Sequence, residues 1–144
     1  MTSPKYFLDS STLIHAADGK AKFHEECLSI ISKASKGEIQ AATSLETLEE
    51  TLYVLSKLTS PSVGLSAVSD FLKMSKIKKY ELTLPIFEQA MEIVETTSLK
   101  QPKDAINVAT MLENKIQLII SEDKDYDKVQ LIKRIHPKEL AESP

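Results

Sequence analysis

Apolar positions recur along the chain in two periods, and the alternation between them predicts its elements. Tyr6, Phe7 and Leu8 form a short β-prone run that ends on Asp9, while Ser10 and Ser11 offer an N-cap for a helix entered through Thr12, Leu13 and Ile14. From Phe23 to Lys36, residues Cys27, Ile30, Ile31 and Ala34 stand three and four apart, an amphipathic helix ended by Gly37. Ile39 to Thr43 predicts a strand leading into Ser44, and Leu45 to Leu58 a helix with Leu48, Leu52 and Leu55 on one stripe. After the break at Thr59 to Ser62, Val63 to Met74 repeats the helical period. Tyr80 to Leu84 then predicts a strand, Pro85 opens a helix that ends near Ser98, and a further helix starts at Asp104 and is capped by Asn114. The β-like runs Ile116 to Ile120 and Val129 to Ile135 follow, with a short tail from Pro137. Strands alternating with helices predict an α/β fold of three layers around a parallel sheet.

Composition narrows this picture without changing it. At 144 residues the chain reads as one domain, 1–144, able to bury roughly two thirds of its unfolded surface. It shows no apolar stretch of about 18 residues and no basic-then-apolar leader, so the expectation is a soluble cytoplasmic protein with no membrane partner. Cys27 is the only cysteine, which excludes an intramolecular disulfide and a cysteine-based zinc site and predicts a small packed side chain. Only three glycines are present, and neither a G-x-x-x-x-G-K-[ST] nor a G-x-G-x-x-G sequence occurs, so a glycine-rich phosphate cradle is unavailable. No G-x-S-x-G elbow presents a serine nucleophile. His15, His24 and His136 lack paired ligand spacing and read as structural or surface residues.

The candidate chemistry lies in acids at element ends. Asp9 ends the first strand, Asp104 starts a helix, and Glu122, Asp123, Asp125 and Asp127 crowd the segment after Ile120. Ligands of open α/β sheets collect outside the carboxyl ends of the strands, where this arrangement places them. Glu46, Glu49 and Glu50 open the helix after Ser44; any one of them also stabilises a helix start through the macrodipole. Crowded carboxylates repel one another and become stable by taking up protons or hard cations. An all-oxygen donor set suits Mg²⁺ or Mn²⁺, and a carboxylate-held pair of such ions orients a phosphodiester, activates water and stabilises the leaving oxygen. The formal charge of −3 does not exclude a nucleic-acid substrate, because two divalent cations would turn the balance slightly positive. Arg134 is the one arginine among 18 basic residues, so recognition by arginine forks is sparse.

These segments resemble the PIN-domain ribonucleases, most closely the small VapC-type toxins and their archaeal relatives. FLDSSTLIHA is similar to the family's opening strand and D-x-S/N motif, TSLETLEETLYVL to its strand-serine-helix segment, and DAINVATMLENKIQLIISEDKDYD to its third and fourth motifs run together. The resemblance implies a PIN-like α/β/α fold with a central parallel sheet of four to five strands. It implies a metal site and catalytic centre made by Asp9, Glu50, Asp104 and Asp123, with Glu49 and Glu46 as fallbacks for the second acid. Ser11 and Ser121 would support those acids, Asp125 would be auxiliary, and Tyr126 takes an aromatic position after it. The implied activity is Mg²⁺- or Mn²⁺-dependent endoribonuclease hydrolysis of single-stranded RNA, by the toxin component of a toxin-antitoxin pair. The implied partners are a small antitoxin protein and a second copy in a homodimer. A non-catalytic PIN-like module that binds RNA or protein is the alternative. A receiver-like phosphoacceptor domain fits worse, because no acidic pair surrounds Asp9.

Overall fold

The computed structural model describes residues 3–141. Its elements are β1 (Lys5–Leu8), α1 (Ser10–Ala17), α2 (His24–Ser35), β2 (Gln40–Ser44), α3 (Leu45–Leu58), α4 (Pro61–Lys73), β3 (Ile77–Tyr80), α5 (Leu84–Thr96), α6 (Pro102–Glu113), β4 (Leu118–Ile120), a 3-10 turn at Lys124–Lys128, β5 (Lys133–Ile135) and α7 (Pro137–Ala141). The five strands form one sheet in the order β3-β2-β1-β4-β5, with every neighbouring pair parallel. The chain therefore works outward from β1 through β2 to β3, then returns through α5 and α6 to the other flank of β1. That reversal leaves a crevice at the carboxyl ends of β1 and β4.

Successive side chains of a strand point to opposite faces, so each central strand serves two cores. Phe7, Ala42 and Ile119 face α5, α6 and the 3-10 turn, packing with Ile86, Val108, Met111 and Tyr126. Leu8, Ala41 and Ile120 face α1 to α4, packing with Leu13, Ile30, Leu48 and Phe71. Pairing Phe7 with Ala42 and Ile119, and Leu8 with Ile120, keeps both faces continuous across the sheet. Cys27 lies in the second core, where burial pushes its thiol up to about 12, as expected of a packed, unreactive side chain.

Gly37 ends α2 as its spacing predicts. It takes φ of 79°, its N–H donates to the Ala34 carbonyl, and the Glu38 N–H reaches back to Lys33. This is a Schellman closure, which needs a left-handed residue just past the helix. Asn114 caps α6, also as predicted.

Several boundaries differ from the sequence reading. Neither Ser10 nor Ser11 caps α1; Asp9 does, its side chain accepting from the Ser10 N–H at 2.8 Å. The third strand is Ile77–Tyr80 rather than Tyr80–Leu84. Lys78 and Lys79 belong to this edge strand, and edge strands tolerate lysines because one side faces water. Leu82 and Leu84 stay exposed, and Thr83 caps α5. The strand placed over Val129–Ile135 shrinks to three residues, since 124–128 curl into the 3-10 turn and Val129 and Ile132 are buried from a loop. Ile116 likewise packs before β4 begins.

Candidate metal centre

Asp9 is the first residue beyond β1 and lies at the bottom of the crevice, 5% exposed. Both of its oxygens are occupied by donors. Oδ1 accepts from the Ser10 N–H at 2.8 Å, from Asn107 Nδ2 at 3.4 Å and from the Tyr126 hydroxyl at 3.4 Å. Oδ2 accepts from Ser121 Oγ at 2.7 Å and, at the long limit of 3.5 Å, from Ser11 Oγ. Burial raises its pKa to about 6 against the pull of the Ser121 and Ser10 hydrogen bonds, and the charges of Glu50 and Asp123 push in the same direction as burial. The carboxylate is thus aimed and fixed but electrically unsatisfied, the condition a cation relieves.

Asp104 arrives from α6. The helix begins at Pro102 with Gln101 as N-cap, so Asp104 is its third residue and makes no side-chain cap. Its Oδ1 accepts from the Tyr126 hydroxyl at 3.1 Å. Burial lifts its pKa to about 6; the Tyr126 bond opposes the shift, and Asp123, Asp9 and Asp125 add to it. The segment after β4 supplies the remaining acids. Ser121, wholly buried, donates to Asp9 and accepts from the Asp123 N–H at 3.0 Å, while Asp123 caps the 3-10 turn through the Asp125 N–H at 2.9 Å. Carboxylate oxygens of Asp104, Asp123 and Asp125 all come within 4.8 Å of one another. Oxygens on opposite sides of a Mg²⁺ ion sit about 4.2 Å apart, so the donor set and its spacing fit one hard cation. Asp125, an auxiliary in the sequence reading, stands in this group as fully as Asp104 and Asp123.

Glu50 enters from α3 on the other wall. It is half-buried, pairs with Lys103 at 3.8 Å, and its charge acts on Asp9. Glu49 is exposed on the neighbouring phase of the helix. Glu46, Glu49 and Glu50 line one small cavity with Lys103 and Asn107, but only Glu50 exerts a charge effect on Asp9.

Sequence reasoning named Ser11 and Ser121 as supports and Tyr126 as an aromatic position, but it missed Asn107 and the hydrogen bonds that Tyr126 makes to the acids. Asn107 is buried, three residues after Asp104 on the same face of α6; its amide donates to the Tyr126 hydroxyl at 3.0 Å and to Asp9, and its Oδ1 accepts from Thr47 Oγ1 at 3.3 Å. Thr47 in turn shares a hydrogen bond of 2.9 Å with Ser44. Tyr126 is fully buried, and burial with the two adjacent carboxylates holds its phenol protonated far above the ordinary tyrosine range. The available signal for Asn107 was a polar residue among the buried positions of α6, which reads as core until a partner is known. The histidines stay outside the cluster: His15 Nε2 meets Glu122 at 3.3 Å, His24 bonds the His15 carbonyl, and His136 stands edge-on to Phe23.

A parallel sheet with acids gathered beyond β1, β4 and the starts of α3 and α6 defines a class, and the sequence agrees: residues 6–131 match the PIN domain, and the chain belongs to that family. No curated protein matches the sequence significantly. Among solved structures, VapC20 of Mycobacterium tuberculosis, described as a sarcin-ricin loop cleaving toxin, is similar with a TM-score of 0.73 and 19% identity over 85% of this chain and 92% of that one. DNA-bound VapBC from Salmonella typhimurium gives a TM-score of 0.71 at 16% identity over 93% and 98%. A protein of Pyrobaculum aerophilum gives 0.67 at 15% over 96% and 93%. At these identities the likeness is one of fold. Among the described residues no helix is long and apolar enough to cross a membrane.

Proposed function

We propose that this chain is a Mg²⁺- or Mn²⁺-dependent endoribonuclease that hydrolyses single-stranded RNA as the toxin of a toxin-antitoxin pair. The observation that carries the reading is the convergence of Asp104, Asp123 and Asp125 oxygens within 4.8 Å, beside a buried Asp9 whose pKa stands at about 6. Asp9, Glu50, Asp104 and Asp123 hold the metal, with Asp125 as a further ligand. Bound there, a divalent cation supplies charge for the phosphodiester and an acidified water. The chain's own part is to aim the ligands. Ser121 and Ser11 direct Asp9 Oδ2, and Asn107 keeps the Tyr126 proton pointed at the carboxylates, because its amide already donates to the phenol oxygen. Lys103 and Lys128, which pair with Glu50 and Asp125, stand beside the acids and would offer their ammonium groups to backbone phosphates.

Support for the toxin assignment comes from family membership and from solved relatives described as toxin-antitoxin complexes, including one from Klebsiella pneumoniae. By the same reading the partners are a small antitoxin protein and a second copy of this chain, and the compartment is the cytoplasm. The test is cleavage of a mixed-sequence single-stranded RNA with Mg²⁺, Mn²⁺ or EDTA. Cutting that needs metal and vanishes in folded Asp104→Asn and Asp123→Asn proteins supports the proposal. Equal cutting by parent and variants overturns it.

A further inference from the structure

We propose that Arg134, from the last strand, is a positioning residue for the acid cluster, acting as a clamp on the segment that carries Asp123, Asp125 and Tyr126. The inference rests on the metal reading above and deepens it. Arg134 is the only arginine in the chain and its side chain is 14% exposed. Its guanidinium spends three donors on the two ends of one seven-residue stretch. Nε and Nη2 meet Asp127 Oδ1 and Oδ2 at 3.0 and 3.1 Å, a two-pronged pairing, and Nη1 donates to the Ser121 carbonyl at 3.1 Å. The stretch is thereby closed at Ser121, whose hydroxyl directs Asp9, and at Asp127, just past the 3-10 turn's Tyr126. Arg134 is itself fixed, because β5 pairs with β4 and the Ser121 N–H donates to the Ile135 carbonyl at 3.1 Å.

The physical need for a clamp follows from the charges. Asp104 is held in α6, whereas Asp123 and Asp125 lie on a segment outside any strand or α-helix, and the repulsion among the three works to spread that segment. Asp127 neutralises the guanidinium charge, so Arg134 acts through geometry rather than through its field. Lysine would keep the charge and lose the planar fork that reaches both ends at once. Loss of an outer partner that orients metal ligands lowers affinity by about 10- to 100-fold.

The experiment measures Mn²⁺ affinity by electron paramagnetic resonance of free ion, alongside hydrogen exchange of the 122–127 amides in metal-free protein. Variants are Arg134→Lys, Arg134→Ala and Asp127→Asn, compared with the parent and Asp123→Asn. Arg134→Lys and Asp127→Asn should each weaken Mn²⁺ binding, by about 10-fold or more for the first, and speed exchange at 122–127 while the global melting temperature moves little. The double variant should bind no worse than Arg134→Lys alone. Millimolar methylguanidinium, but not methylammonium, should restore binding to Arg134→Ala. Unchanged Mn²⁺ affinity in Arg134→Lys, with parent binding intact, overturns the clamp alone. A parent that takes up no more Mn²⁺ than Asp123→Asn overturns the metal reading and the clamp with it. If Arg134→Ala fails to fold, Arg134→Lys and Asp127→Asn still decide.

Discussion

Replacing Asp9 by asparagine should stabilise the metal-free protein at neutral and alkaline pH while removing its metal site. Asp9 is held at a pKa of about 6 against 3.8 for an ordinary aspartate, so its charged form is disfavoured in the fold. At 1.36 kcal/mol per tenfold change in proton affinity, that corresponds to about 3 kcal/mol of lost stability above pH 6. The amide can be accommodated. With Oδ1 kept towards the Ser10, Asn107 and Tyr126 donors, the new Nδ2 faces Ser121 Oγ, which has a lone pair left after accepting from Asp123. Exchanging the short Ser121 bond to a carboxylate for one from an amide costs about 1 kcal/mol. The net gain is about 1–2 kcal/mol at pH 8, a rise of about 3–8 °C in melting temperature for a chain of this size. The sign follows from linkage: the parent's penalty grows as pH rises from 3.8 to about 6, is complete above that, and at pH 4.5, where the folded Asp9 is mostly protonated but the unfolded one is not, stands at about a third of its full size. Thermal unfolding in EDTA at both pH values is the assay. A variant less stable than the parent at pH 8, or a difference equal at the two pH values, would contradict a disfavoured charge on Asp9.

Other outcomes follow from the same geometry. Because Asp9 and Asp104 both titrate near 6, stabilisation of the parent by Mn²⁺ should grow from pH 5 to 7 and level off by pH 8; an increment equal at pH 5 and 7.5 in melting curves would sink this. Tyr126→Phe keeps the buried ring but removes the proton between Asp9 and Asp104 and takes away one of the two acceptors of the Asn107 amide. With the Asn107 bond to Asp9 still in place, the change should cost about 1–3 kcal/mol in denaturant unfolding and about 10-fold in Mn²⁺ affinity, and an unchanged affinity contradicts the role given to the hydroxyl. Gly37→Ala forces a Cβ into a left-handed turn, 3.0 Å from the Lys76 side chain, and should lower stability by about 1 kcal/mol or more with no effect on metal binding.

The fold was legible where periodicity and punctuation agreed. Phe7 and Leu8 alternate between two cores, Gly37 and Asn114 end helices, and the acids after Ile120 follow a buried strand. The edge strand at Ile77–Tyr80 was hidden because an edge needs only Ile77 buried and accommodates an exposed Lys78 and a half-buried Lys79, so it carries no apolar alternation. Asp9 was legible as an acid on a strand end, but its capping of α1 was assigned to the serines beside it. Position in sequence cannot distinguish which of three adjacent oxygens reaches the first amide. Asn107 and Arg134 were invisible for another reason. Their roles depend on partners 98 and 13 residues away, and such pairings exist only once the crevice has closed.

The most direct test is a crystal grown with Mn²⁺ and measured at a wavelength where manganese scatters anomalously. A peak enclosed by Asp104, Asp123 and Asp125, within ligand reach of Asp9 or Glu50 and lost in Asp123→Asn, is the predicted result. A saturated crystal with no peak in the crevice, or one whose only manganese lies on surface carboxylates elsewhere, would contradict the assignment of these acids to metal.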